Sequence, residues 1–140
     1  MIVLDTDVVS ELIRPEPSEA VLAWADEAPS SDLWLTAVTV AELLYGMDRL
    51  ADGRRKRRLA AKVDSMVSDH FADRVAPFDG LSAAHYADIV ATREHSGRPI
   101  SVADAQIAAI TRSHGAILAT RSTRDFAGAA IPLSDPWAAA

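Results

Sequence analysis

The chain has 140 residues, 49% hydrophobic and 24% charged, a length and balance that suit one globular domain spanning residues 1–140 with a core of its own. It holds no cysteine, which excludes disulfides and thiolate metal sites, and no apolar stretch approaches the roughly 20 residues of a membrane span. The net charge of -6 argues against a protein devoted to coating nucleic acid, although acids gathered around a divalent cation would carry part of that charge.

The chain opens on an apolar run rather than a charged leader, so a cytoplasmic location is expected. Ile2, Val3 and Leu4 suit a strand buried on both faces, and the run stops at Asp5. Asp7 to Arg14 places Val8, Val9, Leu12 and Ile13 at helical spacing until Pro15 and Pro17 end it. A second helix is expected from Ser18 to Glu27, burying Val21, Leu22 and Trp24. Leu33 to Val38 reads as a strand, and Thr39 to Leu50 as a helix with Val40, Leu43, Leu44, Met47 and Leu50 in one stripe. After the turn at Ala51-Asp52-Gly53, a helix runs from Arg54 to about His70. Arg74 to Phe78 is a brief strand that Pro77 confines to an edge or a terminus.

The second half continues the alternation. A long helix from Leu81 to about His95 carries Ala84, Ala87, Ile89 and Val90, and Ser96 to Pro99 is a loop. Ser101 to His114 is a helix with Ala105, Ile107, Ala108 and Ile110 inward, closed by Gly115. Ala116 to Thr120 is a buried strand, Thr123 to Phe126 a short turn or helix, and Ile131-Pro132-Leu133 a last strand fragment. Strands alternating with helices predict a three-layer α/β/α sandwich around a mainly parallel sheet.

Thr39-Val40-Ala41-Glu42, Ser101-Val102-Ala103-Asp104 and Ser122-Thr123-Arg124-Asp125 share a pattern: a hydroxyl residue with an acid three positions later at an expected helix start. Each alone reads as a capping box worth about 0.5–2 kcal/mol. Together they read differently. In a parallel sheet the strand-to-helix connections gather on one edge, so Glu42, Asp125 and the strand-end Asp5 converge there. Asp104 is the exception, since a helix and loop precede it. Clustered carboxylates repel one another unless a cation neutralises them, and oxygen ligands without thiolates favour Mg2+ or Mn2+. Such a site suits phosphodiester hydrolysis by a metal-oriented water.

The start M-I-V-L-D-T-D-V-V-S-E-L, the central T-A-V-T-V-A-E-L-L-Y-G, the segment I-S-V-A-D-A-Q-I-A-A-I and the late L-A-T-R-S-T-R-D-F carry a family likeness. In that order, along nearly the whole chain, they resemble the PIN-domain ribonuclease toxins of the VapC and FitB type. The resemblance implies a compact PIN-like nuclease fold, Mg2+ or Mn2+ dependence and cleavage of RNA by the toxin of a type II toxin–antitoxin module. It also implies a homodimer and a cognate antitoxin that blocks the site and helps bind operator DNA. By position, Asp5, Glu42 and Asp104 match the family's acidic triad, expected to hold the metal, and Thr6 its small hydroxyl position, expected near substrate. Two departures stand out. The family usually has Asn where this chain has Asp7, and often Asp or Asn where this chain has Ser122. Asp125 is then expected to supply a fourth or supporting acid, with Ser122, holding a metal-bound water by its hydroxyl, as the alternative; Asp7 adds a charge nearby and either joins the metal site or begins the first helix.

Arg54 to Arg58 reads either as a solvated helix face or as a handle for RNA backbone. Arg98, Arg121 and Arg124 lie beside the acids in sequence, and Arg121 would contact substrate phosphate or pair with a site carboxylate. The four histidines are scattered with no metal-ligand spacing, and Trp24, Trp34 and Trp137 are expected in or near the core. Leu43, Leu44 and Tyr45, if exposed, would form a dimer or antitoxin surface. Two other readings compete with the ribonuclease: a non-catalytic regulatory or nucleic-acid-binding module acting with a partner protein, and a phosphatase or DNA nuclease on the same acids.

Overall fold

The computed structural model describes residues 1–138. Five strands, β1 (Ile2–Leu4), β2 (Leu33–Thr36), β3 (Val75–Ala76), β4 (Ile117–Ala119) and β5 (Leu133–Ser134), form one sheet in the order β3-β2-β1-β4-β5. All four neighbouring pairs are parallel, with Val3 of β1 in register with Trp34 on one side and Leu118 on the other. The helices are α1 (Thr6–Leu12), α2 (Glu19–Glu27), α3 (Ala37–Asp48), α4 (Arg54–Ser65), α5 (Gly80–His95) and α6 (Val102–Ser113).

Alternation along β1 sends successive side chains to opposite faces and so divides the core in two. Leu4 packs with Val8, Val9, Val21, Leu35, Leu43 and Val63, contributed by β2 and by α1 to α4. Val3 packs with Ile89, Ile107, Ala108, Leu118 and Phe126 on the face covered by α5 and α6. The result is the three-layer α/β/α sandwich that the alternating pattern implies. The chain winds from β1 outward to β3, then crosses back to add β4 and β5 on the other side. The reversal falls between β1 and β4, and in open α/β sheets the crevice outside the carboxyl ends at such a point binds ligands.

Helix α6 buries the inward face read from its spacing, Ala105, Ile107, Ala108 and Ile110, with no exposed surface. Gly115 follows it with φ 61°, the left-handed conformation of a helix C′ position. Edge strand β3 is held to two residues ahead of Pro77. The three tryptophans lie partly buried against the two cores.

Several details depart from expectation. β2 stops at Thr36 rather than Val38, because the Thr36 hydroxyl accepts the Thr39 N–H at 3.0 Å and so starts α3 early. Thr39 is buried within the first turn, so Thr39 and Glu42 do not form a capping box. Leu22 is 38% exposed and Leu44 47% exposed, so the buried stripes of α2 and α3 are narrower than the spacing suggests. Ala84 and Ala87 likewise face solvent, whereas Leu43 is buried. The helix expected to continue to His70 widens into a π-helical turn over Met66–His70. Among the described residues no helix is long and apolar enough to cross a membrane.

Candidate functional site

β1 ends at Asp5, whose side chain serves two masters. Oδ1 accepts the Thr6 N–H at 2.8 Å and caps α1, while Oδ2 accepts the Thr120 hydroxyl at 2.7 Å. Thr120 sits one residue past β4 and is fully buried, so the two strands flanking the reversal are tied together at their carboxyl ends. Asp5 is only 6% exposed. Burial, then the neighbouring charge of Asp7, push its carboxyl up to about 7; Asp104 adds to the rise, and the bonds from Thr120 and Thr6 oppose it.

Asp104 reaches the same edge from α6. Ser101 caps that helix by accepting the Asp104 N–H at 3.2 Å, which fixes the acid in the first turn. Partial burial raises the Asp104 carboxyl above its ordinary range; the Ser101 hydrogen bond opposes this, and the charges of Asp125, Glu42 and Asp7 add to it. Glu42 comes from α3, where its Oε1 accepts the Thr6 hydroxyl at 2.7 Å. The Thr6 oxygen also lies 3.3 Å from that of Thr39. Asp5, Glu42 and Asp104, drawn from three separate elements, thus share one neighbourhood, with Thr6 bridging Asp5 and Glu42.

Asp7 joins them from the first turn of α1. Its Oδ2 accepts the Arg121 N–H at 3.1 Å, the Ser122 hydroxyl at 3.2 Å and the Thr120 hydroxyl at 3.3 Å. Its Oδ1 is buried with no hydrogen-bond partner among the described residues. Ser122 therefore turns its hydroxyl to Asp7, and the third expected capping box does not form. Asp125 is exposed on the 3-10 turn Thr123–Phe126. With Asp104, Ser101, Pro99, Ile100 and Arg93 it lines a polar cavity of about 240 Å3. A larger and more apolar groove, of about 570 Å3, lies elsewhere, between α1 and α4. The smaller cavity touches the acidic crevice at Asp104 alone of the triad.

The Arg121 guanidinium lies 5.0 Å above the Trp137 ring and forms no ion pair with a site carboxylate. Arg98 donates to the Arg124 carbonyl at 3.3 Å, next to the cavity. Arg54, Arg55, Arg57 and Arg58 are exposed, and Lys56 pairs with Asp52 at 3.3 Å.

Two participants escaped the reading of the sequence. Thr120 was legible only as the hydroxyl residue that ends an expected strand, which the structure sets across from Asp5. Arg93, 6% exposed, donates to the carbonyls of Arg98 and Asp125 at 2.6 Å each and of Ala127 at 3.1 Å, pinning the 3-10 turn beside the cavity. Nothing in the polar run A-T-R-E-H-S-G-R marks it as buried.

Carboxylate and hydroxyl oxygens alone suit a hard cation such as Mg2+ or Mn2+. Among the described residues no three acids or histidines stand at ready-made ligand spacing. The orphaned Oδ1 of Asp7 and the like-charge company of buried Asp5 both fit a cation in this crevice.

A family profile described as the PIN domain matches residues 2–131. Toxin FitB of Neisseria gonorrhoeae is 41% identical over 137 residues, 98% of this chain and 99% of that protein. VapC ribonuclease Y4jK of Sinorhizobium fredii is 42% identical over 137 residues, covering 98% of each. Among solved structures, that of FitAB bound to an IR36 DNA fragment superposes with a TM-score of 0.91 at 40% identity, over 98% of this chain and 96% of the other.

Proposed function

The chain belongs to the PIN-domain toxins of the VapC and FitB type, and from that membership we propose that it is a metal-dependent endoribonuclease of a type II toxin–antitoxin module. Asp5, Glu42 and Asp104 hold Mg2+ or Mn2+ in this reading. When bound, the cation lowers the pKa of a water and neutralises charge developing on the scissile phosphate. The chain's own part is arrangement. Thr120 and the Thr6 N–H fix both oxygens of Asp5, and the Thr6 hydroxyl fixes one oxygen of Glu42, so these side chains present defined faces. Thr6, Arg121 and Ser122 border the place where RNA would lie.

The observation that carries the reading is Asp5: a carboxylate nearly closed to water, flanked by further acids at the sheet's reversal point. A structural role would reward replacing it, whereas cation binding rewards keeping it. The groove between α1 and α4 supports a partner. Leu12, Ile13, Met66 and Phe71 give it an apolar floor, and Arg58 and Lys62 a cationic rim, which suits a segment carrying apolar and acidic residues from a cognate antitoxin. That antitoxin would bring operator DNA, consistent with the FitAB complex bound to DNA. Leu44 and Tyr45, 47% and 65% exposed, are the surface we assign to a homodimer. A cytoplasmic site of action follows from RNA as substrate.

The test compares RNA cleavage by the wild type, Asp5→Asn and Asp104→Asn with added Mg2+ or Mn2+ after any partner is stripped away. Each variant should lose activity on the order of 100-fold or more, because several kcal/mol of charge stabilisation go with the cation. Equal activity in the three proteins would sink the metal-site assignment. No cleavage of tRNA, rRNA or mRNA by the wild type would favour the non-catalytic binding module.

A further inference from the structure

We infer that Asp7, rather than Asp125, is the fourth carboxylate facing the cation, and that the Ser122 hydroxyl supports Asp7 rather than holding a metal-bound water. The inference rests on the metal-site reading above. Among the acids around the crevice, Asp7 is the one whose charge bears on both Asp5 and Asp104, whereas that of Asp125 bears on Asp104. Asp125 is exposed on the outer turn, and the part of it that the fold uses is its backbone carbonyl, taken by Arg93.

The two oxygens of Asp7 differ sharply. Oδ2 accepts the Arg121 N–H and the Ser122 hydroxyl, with the Thr120 hydroxyl, shared with Asp5, 3.3 Å away, which holds the carboxylate in place. Oδ1 is closed to water and has no donor among the described residues. A buried carboxylate oxygen without a partner costs free energy that the chain itself does not recover. A cation beside it would. The arrangement is that of a ligand held by one oxygen and presented by the other. Ser122, whose hydroxyl touches Oδ2 at 3.2 Å, serves as the support. An acid at position 122 would put a carboxylate in that same place, so the charge is transferable between the two positions.

Mn2+ affinity of the full chain, measured by calorimetry or by the free-ion electron paramagnetic resonance signal without RNA, tests this. Asp7→Asn keeps the shape and an acceptor oxygen while removing the charge. It should weaken Mn2+ binding by about 10- to 100-fold, and Asp7→Asn combined with Ser122→Asp should recover most of that loss. Asp125→Asn should leave the affinity within about twofold of the wild type, because its carboxylate lies outside the site. Thermal melting in EDTA reads the anchoring role separately. Unchanged Mn2+ affinity in Asp7→Asn would overturn the inference. So would a weakened affinity that Ser122→Asp fails to restore, which would leave Asp7 as an anchor for the loop after β4. A wild type that binds no Mn2+ would instead remove the metal-site reading on which all of this stands.

Discussion

Asp5, Glu11 and Arg93 are the buried ionisable side chains among the described residues, and the chain treats Arg93 and Asp5 in opposite ways. Arg93 is 6% exposed and is answered by three backbone carbonyls from the loop after α5 and the turn after β4. Asp5 is equally buried, yet its charged neighbours are Asp7 and Asp104, and its carboxyl is pushed up to about 7. The guanidinium is completed by the fold. The carboxylate is held in position by the fold but left electrostatically in debt. Buried charges of the first kind shape the surroundings of a site, and those of the second kind are the site.

The largest break in this contrast should come from Arg93. Arg93→Met leaves three carbonyls without a donor and should cost about 3–5 kcal/mol in urea unfolding, with the turn at Thr123–Phe126 the first region to lose amide protection. A loss under about 1 kcal/mol would show that water reaches those carbonyls as readily as the guanidinium does.

Asp5 predicts a pH dependence of definite sign. Its folded pKa of about 7 lies above the ordinary 3.8, so the folded state binds more protons than the unfolded state between those values. Stability from this group is therefore greatest at low pH and declines as pH rises towards about 7, staying low above it. In EDTA, the wild type should lose roughly 2–3 kcal/mol between pH 5 and pH 8, and Asp5→Asn should flatten most of that slope. A steeper loss in Asp5→Asn than in the wild type would refute the assignment.

The smallest effect sharpens the contrast. Asp125→Ala removes an exposed carboxylate but keeps the carbonyl that Arg93 uses, and should change stability by less than about 0.5 kcal/mol with cleavage nearly intact. A large loss of cleavage would return Asp125 to the site and count against Asp7.

Much of this was written plainly in the sequence. The apolar strands, the inner face of α6 and the glycine that ends it follow from periodicity and local conformational preference, which neighbours seldom override. Asp5 was legible because an acid ends a buried strand. Glu42 and Asp104 were legible as motifs, although the capping explanation held only for Ser101 and Asp104. At Thr39 it failed, since Thr36, three residues earlier, took the cap and moved the start of α3. Leu22 and Leu44 were misplaced because helical spacing gives a stripe but not its width, which the neighbouring helices decide. Thr120 and Arg93 were hidden for another reason. Each acts through partners fixed by tertiary structure, and a lone threonine or arginine in a polar run looks the same whether it is buried or not.

The hydroxyl of Thr120 that steadies Asp5 is 115 residues away along the chain, and β4 joins β1 only through the same late segment. During synthesis β1 emerges early, and β4, its partner on one side, long after it. Long-range parallel pairing is slow to form, and here the acidic crevice is closed by it. A growing chain that has not yet reached Thr120 therefore carries every acid of the triad without the strand that aligns them. The acidic crevice is thus complete only once β4 has paired with β1 and Thr120 has reached Asp5.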